Sequence, residues 1–155
     1  MNKIEENLKK LNIQIPAVGK PVASYVPHVR SGNTLYVSGQ LPTINGEVKF
    51  SGIVGDNVDV PTAQEAAKLC AINLIACVKD ACGDDLSKLK RVLHLQVLVA
   101  STPKFNEQHL VGNGASNLFV EIFGQEVGSH TRAAFGVASI PRGGCVEIAA
   151  TFEIE

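Results

Sequence analysis

The sequence predicts an α+β domain in which one β-sheet carries two helices on one of its faces. Its 155 residues suit a single domain, since domains commonly contain about 100–150 residues. Hydrophobic residues make up 45% of the chain and charged residues 19%, a balance typical of a packed core. Hydrophobic periodicity gives the element order β-β-(β)-α-β-α-β-β, which places one layer of helices on one sheet.

The N-terminal residues 1–15 predict a short helical extension within a single domain that spans residues 1–155. Ile4, Leu8 and Leu11 recur at helical intervals, and Pro16 ends the pattern. This spacing predicts an amphipathic helix that starts near residue 3.

The first strands of the sheet are predicted from alternating apolar residues between turn signals. Residues 22–29 and 34–39 read as two strands, joined by a turn at residues 31–33. The Asn-Gly pair at 45–46 is a second turn signal, and a short third strand is predicted at residues 48–50. An antiparallel meander therefore opens the sheet.

A long buried helix is predicted over residues 61–83, and a strand over residues 92–100. Residues 62–65, Thr-Ala-Gln-Glu, match a capping box, and Gly83 ends the helix. The helix is apolar nearly all round, so it should lie on the sheet and touch another helix. In the strand, alternation assigns to one face Leu93, Leu95, Val97 and Val99, and to the other His94 and Gln96.

A second helix is predicted from Thr102 to about residue 123, with a break at the glycines of residues 112–114. Two final strands follow at 131–140 and 145–155, with residues 141–144 as the turn between them. A simple hairpin about this turn would place Arg132 opposite residue 152 and far from Glu147.

Composition excludes several classes of protein. The net charge is −1, and the two basic clusters are short, so strong binding to nucleic acid is not expected. The longest uncharged stretch of the first long helix covers residues 69–78, which is too short to span a bilayer. The N-terminus lacks the apolar stretch of a signal peptide, and we expect a cytoplasmic protein without a membrane partner.

The four cysteines have no metal-ligand spacing, and we expect no metal and no cofactor. In a cytoplasmic protein they should be reduced, and small buried hydrophobic side chains are their simplest role. These residues are Cys70, Cys77, Cys82 and Cys145.

The sheet face that the helices leave uncovered is predicted to be a subunit interface. The polar residues predicted on this face are interspersed with small apolar residues, whereas a solvent-exposed sheet face is mostly polar. Arg132 is the most informative of them, because a lone arginine in a cleft suits a bidentate grip on a carboxylate or phosphate. An interface salt bridge is an equally good explanation of Arg132 from composition alone.

Several motifs resemble those of the Rid (reactive intermediate deaminase) family, also called the YjgF or L-PSP family. The resemblance covers about residues 16–154. The motifs are Tyr25-Val26, Gly32-Asn33, Leu35-Tyr-Val-Ser-Gly-Gln-Leu-Pro42, Asn73, Thr131-Arg132, Ile140-Pro141 and Val146-Glu147-Ile148.

The resemblance implies a chorismate-mutase-like fold, a homotrimer, and sites between subunits that hydrolyse enamines or imines to 2-keto acids and ammonia. Its ligand would be a small carboxylate such as a 2-imino or 2-keto acid. By position, Arg132 would hold the carboxylate and Glu147 would orient or activate water. Tyr25, Ser38 and Gly39 would line the same pocket. Such chemistry needs no cofactor, because an imine carbon is already electrophilic.

Two departures from the deaminase pattern suggest a divergent subgroup. Ala134 stands where active members usually carry a cysteine, two residues after Arg132. The region 106–117 looks longer than usual, so either Asn113 or Asn117 could enter the pocket. Substrate choice, or turnover itself, could differ.

Two rival functions are a non-catalytic trimer that binds small carboxylates and an endoribonuclease of the L-PSP type. A charge of −1 with two Tyr and no Trp leaves little for base stacking, so the ribonuclease ranks last. Ser38 has no His-Asp pattern nearby and is not expected to be a nucleophile. His130 could enter the pocket or end a loop, and the loop is slightly favoured.

Overall fold

The computed structural model describes residues 2–19 and 23–155, which form three α-helices, a five-stranded sheet and a separate two-stranded hairpin. The elements in chain order are α1 (Lys3–Lys10), β1 (His28–Ser31), β2 (Thr34–Gln40), β3 (Thr43–Ile44), β4 (Glu47–Val48), α2 (Val60–Ala81), β5 (Leu89–Ala100), α3 (Gln108–Gly128), β6 (Thr131–Val137) and β7 (Val146–Ile154). The strand order is β1-β2-β7-β5-β6. The predicted α+β class is confirmed.

One face of the sheet packs against α2 and α3. Alternate residues of the central strands, such as Leu35, Leu95 and Phe152, are fully buried and share one core with the apolar side chains of both helices. The long helices therefore form one layer on one sheet face, as the sequence predicts.

The predicted hairpin of the last two strands is wrong. Strand β5 lies between β6 and β7, and it pairs with β6 in parallel and with β7 antiparallel. Helix α3 is the crossover that a parallel pair requires. Arg132 consequently lies opposite Leu95 of β5 and not opposite Phe152.

Strand β5 begins earlier than predicted, and the assignment of Leu93 to its buried face is wrong. The pairing of β5 with β7 shifts register between Leu89 and Arg91 and again between Val92 and His94. Each irregularity inserts a residue and resets the alternation of faces. Val92 is thereby buried, and Leu93 is 37% exposed.

Strand β1 is shorter than predicted, whereas β2 extends one residue beyond its predicted end. Strand β1 covers His28–Ser31 and overlaps the predicted 22–29 only at residues 28–29, and residue 22 lies outside the described residues. Instead of a third strand at 48–50, β3 and β4 form their own hairpin around Asn45 and Gly46. Both turn residues have positive φ, 52° and 79°, as a two-residue hairpin turn requires.

Helix α2 starts one residue before the prediction and is capped differently. Asp59 is its N-cap, and its carboxylate accepts a 2.9 Å hydrogen bond from the Thr62 amide. This bonding lowers the pKa of Asp59. Thr62 therefore lies in the first turn, and the predicted capping box is wrong. The helix is buried on several faces, as expected.

Helix α3 starts six residues later than predicted, and it continues through residues 112–114, where a break was expected. Its non-helical residue is Gly124, with φ 86° and ψ 166°. A Cβ on Gly114 would overlap the backbone carbonyl of Gln64 in α2, and one on Gly112 would lie 2.9 Å from Nη1 of Arg132. These glycines permit close packing, and this gain outweighs their poor helix propensity.

Helix α1 packs against α3. Its Asn7 Nδ2 donates a 2.9 Å hydrogen bond to the Ile122 carbonyl, just before the irregular Gly124. Asn2 and Glu5 form a capping box at the start of α1. After the helix, residues 11–18 run along the core, against which Ile13, Ile15 and Val18 pack.

Gly114→Ala should destabilise the protein, because its methyl group would push α2 and α3 apart. Overpacking costs about 1–3 kcal/mol and the better helix former returns about 1 kcal/mol, so the net loss is up to about 2 kcal/mol and Tm should fall by up to about 8 °C. Gly112→Ala is the matched control: its methyl group would meet the end of one side chain and no backbone atom of another helix, so its Tm should fall by less. Thermal unfolding of both variants at one protein concentration measures this, and equal Tm values would contradict it.

Candidate functional site

Glu147, Gly39 and Tyr25 line one cavity of about 740 Å³. Glu147 lies near the start of β7, beside the irregularity between Val37 and Gln40 where β2 pairs with β7. A Cβ on Gly39 would lie 2.6 Å from Oε1 of Glu147, so only glycine leaves room for this carboxylate. The rest of the wall comes from residues 12–17, the β3–β4 hairpin, one side of α2, and Pro141 and Arg142.

The Glu147 carboxylate has neither a hydrogen-bond partner nor an ion-pair partner within residues 2–19 and 23–155. It is half-buried, and this loss of solvation raises its pKa. Arg142 lines the same cavity and donates a 2.7 Å hydrogen bond from Nη2 to the Gly46 carbonyl. A carboxylate with a raised pKa and free lone pairs can accept a proton from a water bound in the cavity.

Ser38 lies beside the cavity and not on its wall. Its Oγ donates a 2.7 Å hydrogen bond to the Val26 carbonyl, and its backbone amide donates to the Pro27 carbonyl. Ser38 thus ties the segment that carries Tyr25 to strand β2.

The prediction that Arg132 lies on the uncovered face of the sheet is wrong. Arg132 pairs with the buried Leu95 and lies on the helix-covered side of β6. Its Nη1 donates to Asn113 Oδ1 at 3.1 Å and to Ser116 Oγ at 3.0 Å, and its Nη2 donates to the His109 carbonyl at 2.9 Å. Partial burial lowers its pKa. Among the described residues it has no carboxylate partner, so Nε–H and one Nη2–H remain available to an anion.

A single chain does not bring Arg132 and Glu147 together. Arg132 pairs with the buried Leu95 of β5, so its side chain lies on the core face of the sheet. Glu147 pairs with Leu98 and lies between two core residues of β7, so its side chain lies on the opposite face. The two residues are offset by three residues along the strand direction and by two strands across the sheet. Their Cα atoms are therefore separated by roughly 10 Å along the strands and roughly 10 Å across them.

Asn113 is the asparagine beside Arg132. Asn117, one helical turn further, lines a groove of about 210 Å³ between α2 and α3, and Asn113 lines this groove as well. Ala134 lies on the same side of β6 as Arg132 and packs against the core, so this position offers a methyl group beside the arginine and no thiol.

Sequence reasoning missed Arg142, Ser116 and the cavity wall formed by residues 12–17. The Pro-Arg-Gly-Gly turn gives no sign of facing a cavity, and Ser116 is far from Arg132 along the chain. The loop interpretation of His130 was incomplete, since its ring bonds to Ser116. His28 and His94 make hydrogen bonds to Asp80 and Thr131.

Residues 5–149 match the sequence model of a family described as "YjgF/chorismate_mutase-like, putative endoribonuclease". The chain belongs to this family. The Rid, YjgF or L-PSP relationship that the motifs predict is confirmed, and with it the chorismate-mutase-like fold.

Three relatives show how closely the YjgF-family chain follows known members. It is 43% identical over 152 residues to protein TCP17 of Trypanosoma cruzi, covering 98% of this chain and 94% of that protein. It is 51% identical to the crystal structure of Atu1372 from Agrobacterium tumefaciens, a protein of unknown function, with a TM-score of 0.90 and coverage of 98% and 92%. A Shewanella oneidensis structure described as a putative endoribonuclease is 29% identical, with a TM-score of 0.93 and coverage of 99% and 100%.

No helix in residues 2–19 or 23–155 has the length and hydropathy needed to cross a bilayer. Within the same residues, His, Cys, Asp and Glu do not gather in threes or more in an arrangement that could hold a metal ion.

Proposed function

We propose that this YjgF-family protein hydrolyses reactive enamine or imine intermediates to 2-keto acids and ammonia, at clefts between the subunits of a homotrimer. The observation that carries the proposal is Glu147, a half-buried carboxylate with a raised pKa and no partner within the described chain, on a cavity of about 740 Å³. A charge held in this way costs stability, which favours a functional role.

In this mechanism Arg132 of a neighbouring subunit holds the substrate carboxylate, and Glu147 accepts a proton from water. The water oxygen bonds to the iminium carbon, and its proton passes to Glu147. The carbinolamine then collapses: Glu147 returns its proton to the nitrogen, the carbon–nitrogen bond breaks, and ammonia leaves. The hydroxyl proton passes back to Glu147 as the carbonyl forms, and Glu147 then releases it to solvent or to the departing ammonia. Tyr25 and Gly39 shape the cavity, and Ser38 supports it.

The trimer is supported by the open face of the sheet. Large apolar side chains are exposed on this face of the sheet or at its edge. A strongly apolar sheet face is normally packed against another layer of protein. The exposed side chains are Val29, Tyr36, Leu93 and Phe135. The placement of Arg132 and Glu147 on opposite faces gives a second argument, because only a neighbouring subunit could complete the site.

The test is the release of keto acid from 2-aminoacrylate that a PLP-dependent dehydratase generates in situ. The chain should accelerate the appearance of pyruvate beyond the rate in buffer. No acceleration, with 2-keto acids still binding, would mean that the protein is a carboxylate binder. Sedimentation at micromolar concentration should show a trimer, and a stable monomer would exclude clefts between subunits.

An endoribonuclease is the second candidate, because the Shewanella relative and the family description carry that name. The ionisable groups that line the cavity within the described chain are Tyr25, Arg142 and Glu147, which is a poor set for tracking phosphates. Incubation with single-stranded RNA distinguishes the two functions. Cleavage that Glu147→Gln abolishes would favour the ribonuclease.

A further inference from the structure

We infer that His130 is a positioning residue for Arg132 and acts through the hydroxyl group of Ser116. The inference rests on the proposed function in one respect, namely that Arg132 binds the ligand carboxylate. It concerns a chain of three hydrogen bonds that links the end of α3 to the guanidinium group.

The direction of each hydrogen bond follows from the groups involved. The Gly128 carbonyl can only accept, so Nδ1 of His130, 2.7 Å away, carries the proton. In a neutral ring Nε2 is then an acceptor, and the Ser116 hydroxyl donates to it over 2.8 Å. The Ser116 oxygen keeps a lone pair for Nη1 of Arg132 at 3.0 Å. Every member of this chain has one consistent role.

The surroundings of His130 favour the neutral ring. Burial is the main cause that lowers the pKa of His130, and the nearby Arg132, His94 and Arg91 lower it further. The hydrogen bond to the Gly128 carbonyl acts in the opposite direction and raises it. Phe119 of α3 packs edge-on, with ring centroids 6.0 Å apart. The imidazole is thus held in one orientation by packing and by hydrogen bonds.

The consequence is a guanidinium group with a fixed plane. Ser116 and Asn113 occupy both hydrogens of Nη1, and the His109 carbonyl occupies one hydrogen of Nη2. Gly112 allows the group to lie against α3. The remaining Nε–H and Nη2–H can then form a bidentate pair with a carboxylate, and an arginine already held in place loses less freedom on binding.

The first experiment measures pyruvate affinity by calorimetry for the full chain and four variants. Ser116→Ala and His130→Phe, which keeps a ring against Phe119, should each weaken binding by about 3–10-fold. Ser116→Thr keeps a hydroxyl and should bind like the parent. The Ser116→Ala/His130→Phe double variant should be no weaker than Ser116→Ala, because the histidine acts only through the serine. Additive losses, or an unchanged affinity in Ser116→Ala, would overturn the inference.

A second experiment separates this inference from the proposed function. If Arg132→Ala leaves pyruvate binding unchanged, or the parent does not bind pyruvate, the proposed function fails. Nitrogen-15 NMR then tests the positioning directly: His130 should be the Nδ1–H tautomer, and rotation of the Nη1 group of Arg132 should become faster in Ser116→Ala. A Nε2–H tautomer, or equal rotation rates in parent and variant, would refute the positioning role whatever the ligand.

Discussion

Glu147→Gln is expected to slow imine hydrolysis by about 10²–10⁴-fold, the usual contribution of a positioned acid–base group. Glutamine keeps the shape of the side chain beside Gly39, but its amide cannot accept the proton from water. Affinity for 2-keto acids should change little, since Glu147 acts on water and not on the carboxylate. Steady-state kinetics with 2-aminoacrylate and calorimetry with pyruvate measure the two quantities separately.

The pH dependence gives a control for the same variant. Burial raises the pKa of Glu147. Imine hydrolysis by the parent should therefore be fast above that pKa, where the carboxylate is ionised, and should slow as the pH falls through it. The rate should begin to fall at a pH above the usual range of glutamate pKa values. The residual rate of Glu147→Gln should not show this pH-dependent fall. A parent whose rate falls only in the ordinary range, or a glutamine variant of full activity, would show that Glu147 is not the base.

Arg132→Ala is expected to weaken 2-keto-acid binding at least about tenfold, because charge-assisted hydrogen bonds to a carboxylate are lost in a partly dry site. The oligomeric state should not change, since within one chain the Arg132 side chain bonds only to α3 among the described residues. Arg132→Lys keeps the positive charge but lacks the pair of N–H groups that binds a carboxylate in a bidentate way. Its affinity for 2-keto acids should therefore lie between those of Arg132→Ala and the parent. A variant that binds as tightly as the parent, or that dissociates, would identify Arg132 as an interface ion-pair partner.

Mixed oligomers test whether the two residues meet across subunits. In a random trimer of co-expressed Arg132→Ala and Glu147→Gln chains, about a quarter of sites would combine an intact Arg132 from one chain with an intact Glu147 from another. Hydrolysis should therefore return to about that fraction of the parent rate. Mixed oligomers as inactive as either variant alone would place both residues in the same subunit's site.

Much of the fold is predictable where burial follows a local period. The apolar spacing of residues 61–83 anticipates α2 within two residues at each end, and alternation from Val146 to Ile154 anticipates β7 and its core face. Both patterns are local, because a helix face or a strand face is set by residues a few positions apart. Residue type and predicted position singled out Arg132, and the resemblance to the YjgF family supplied the roles of Arg132 and Glu147.

Other features depend on contacts between distant residues. The position of β5 between β6 and β7 follows from the crossover through α3, whereas the turn at 141–144 read locally suggested a hairpin. The glycines at 112–114 suggested a break, yet α3 continues because the backbone of α2 and the side chain of Arg132 approach where a Cβ would not fit. Propensity describes one segment alone, and close packing between segments overrides it.

The sequence by itself determined the class of fold, the main elements and the family, since these depend on residue types and their spacing. Only the tertiary structure decided what surrounds each candidate residue. No described residue bonds to the Glu147 carboxylate, which lies on a cavity partly walled by the N-terminal segment, while Arg132 faces α3 on the other side of the sheet. Strand order and pleat set these environments, and both arise from pairings between residues far apart along the chain.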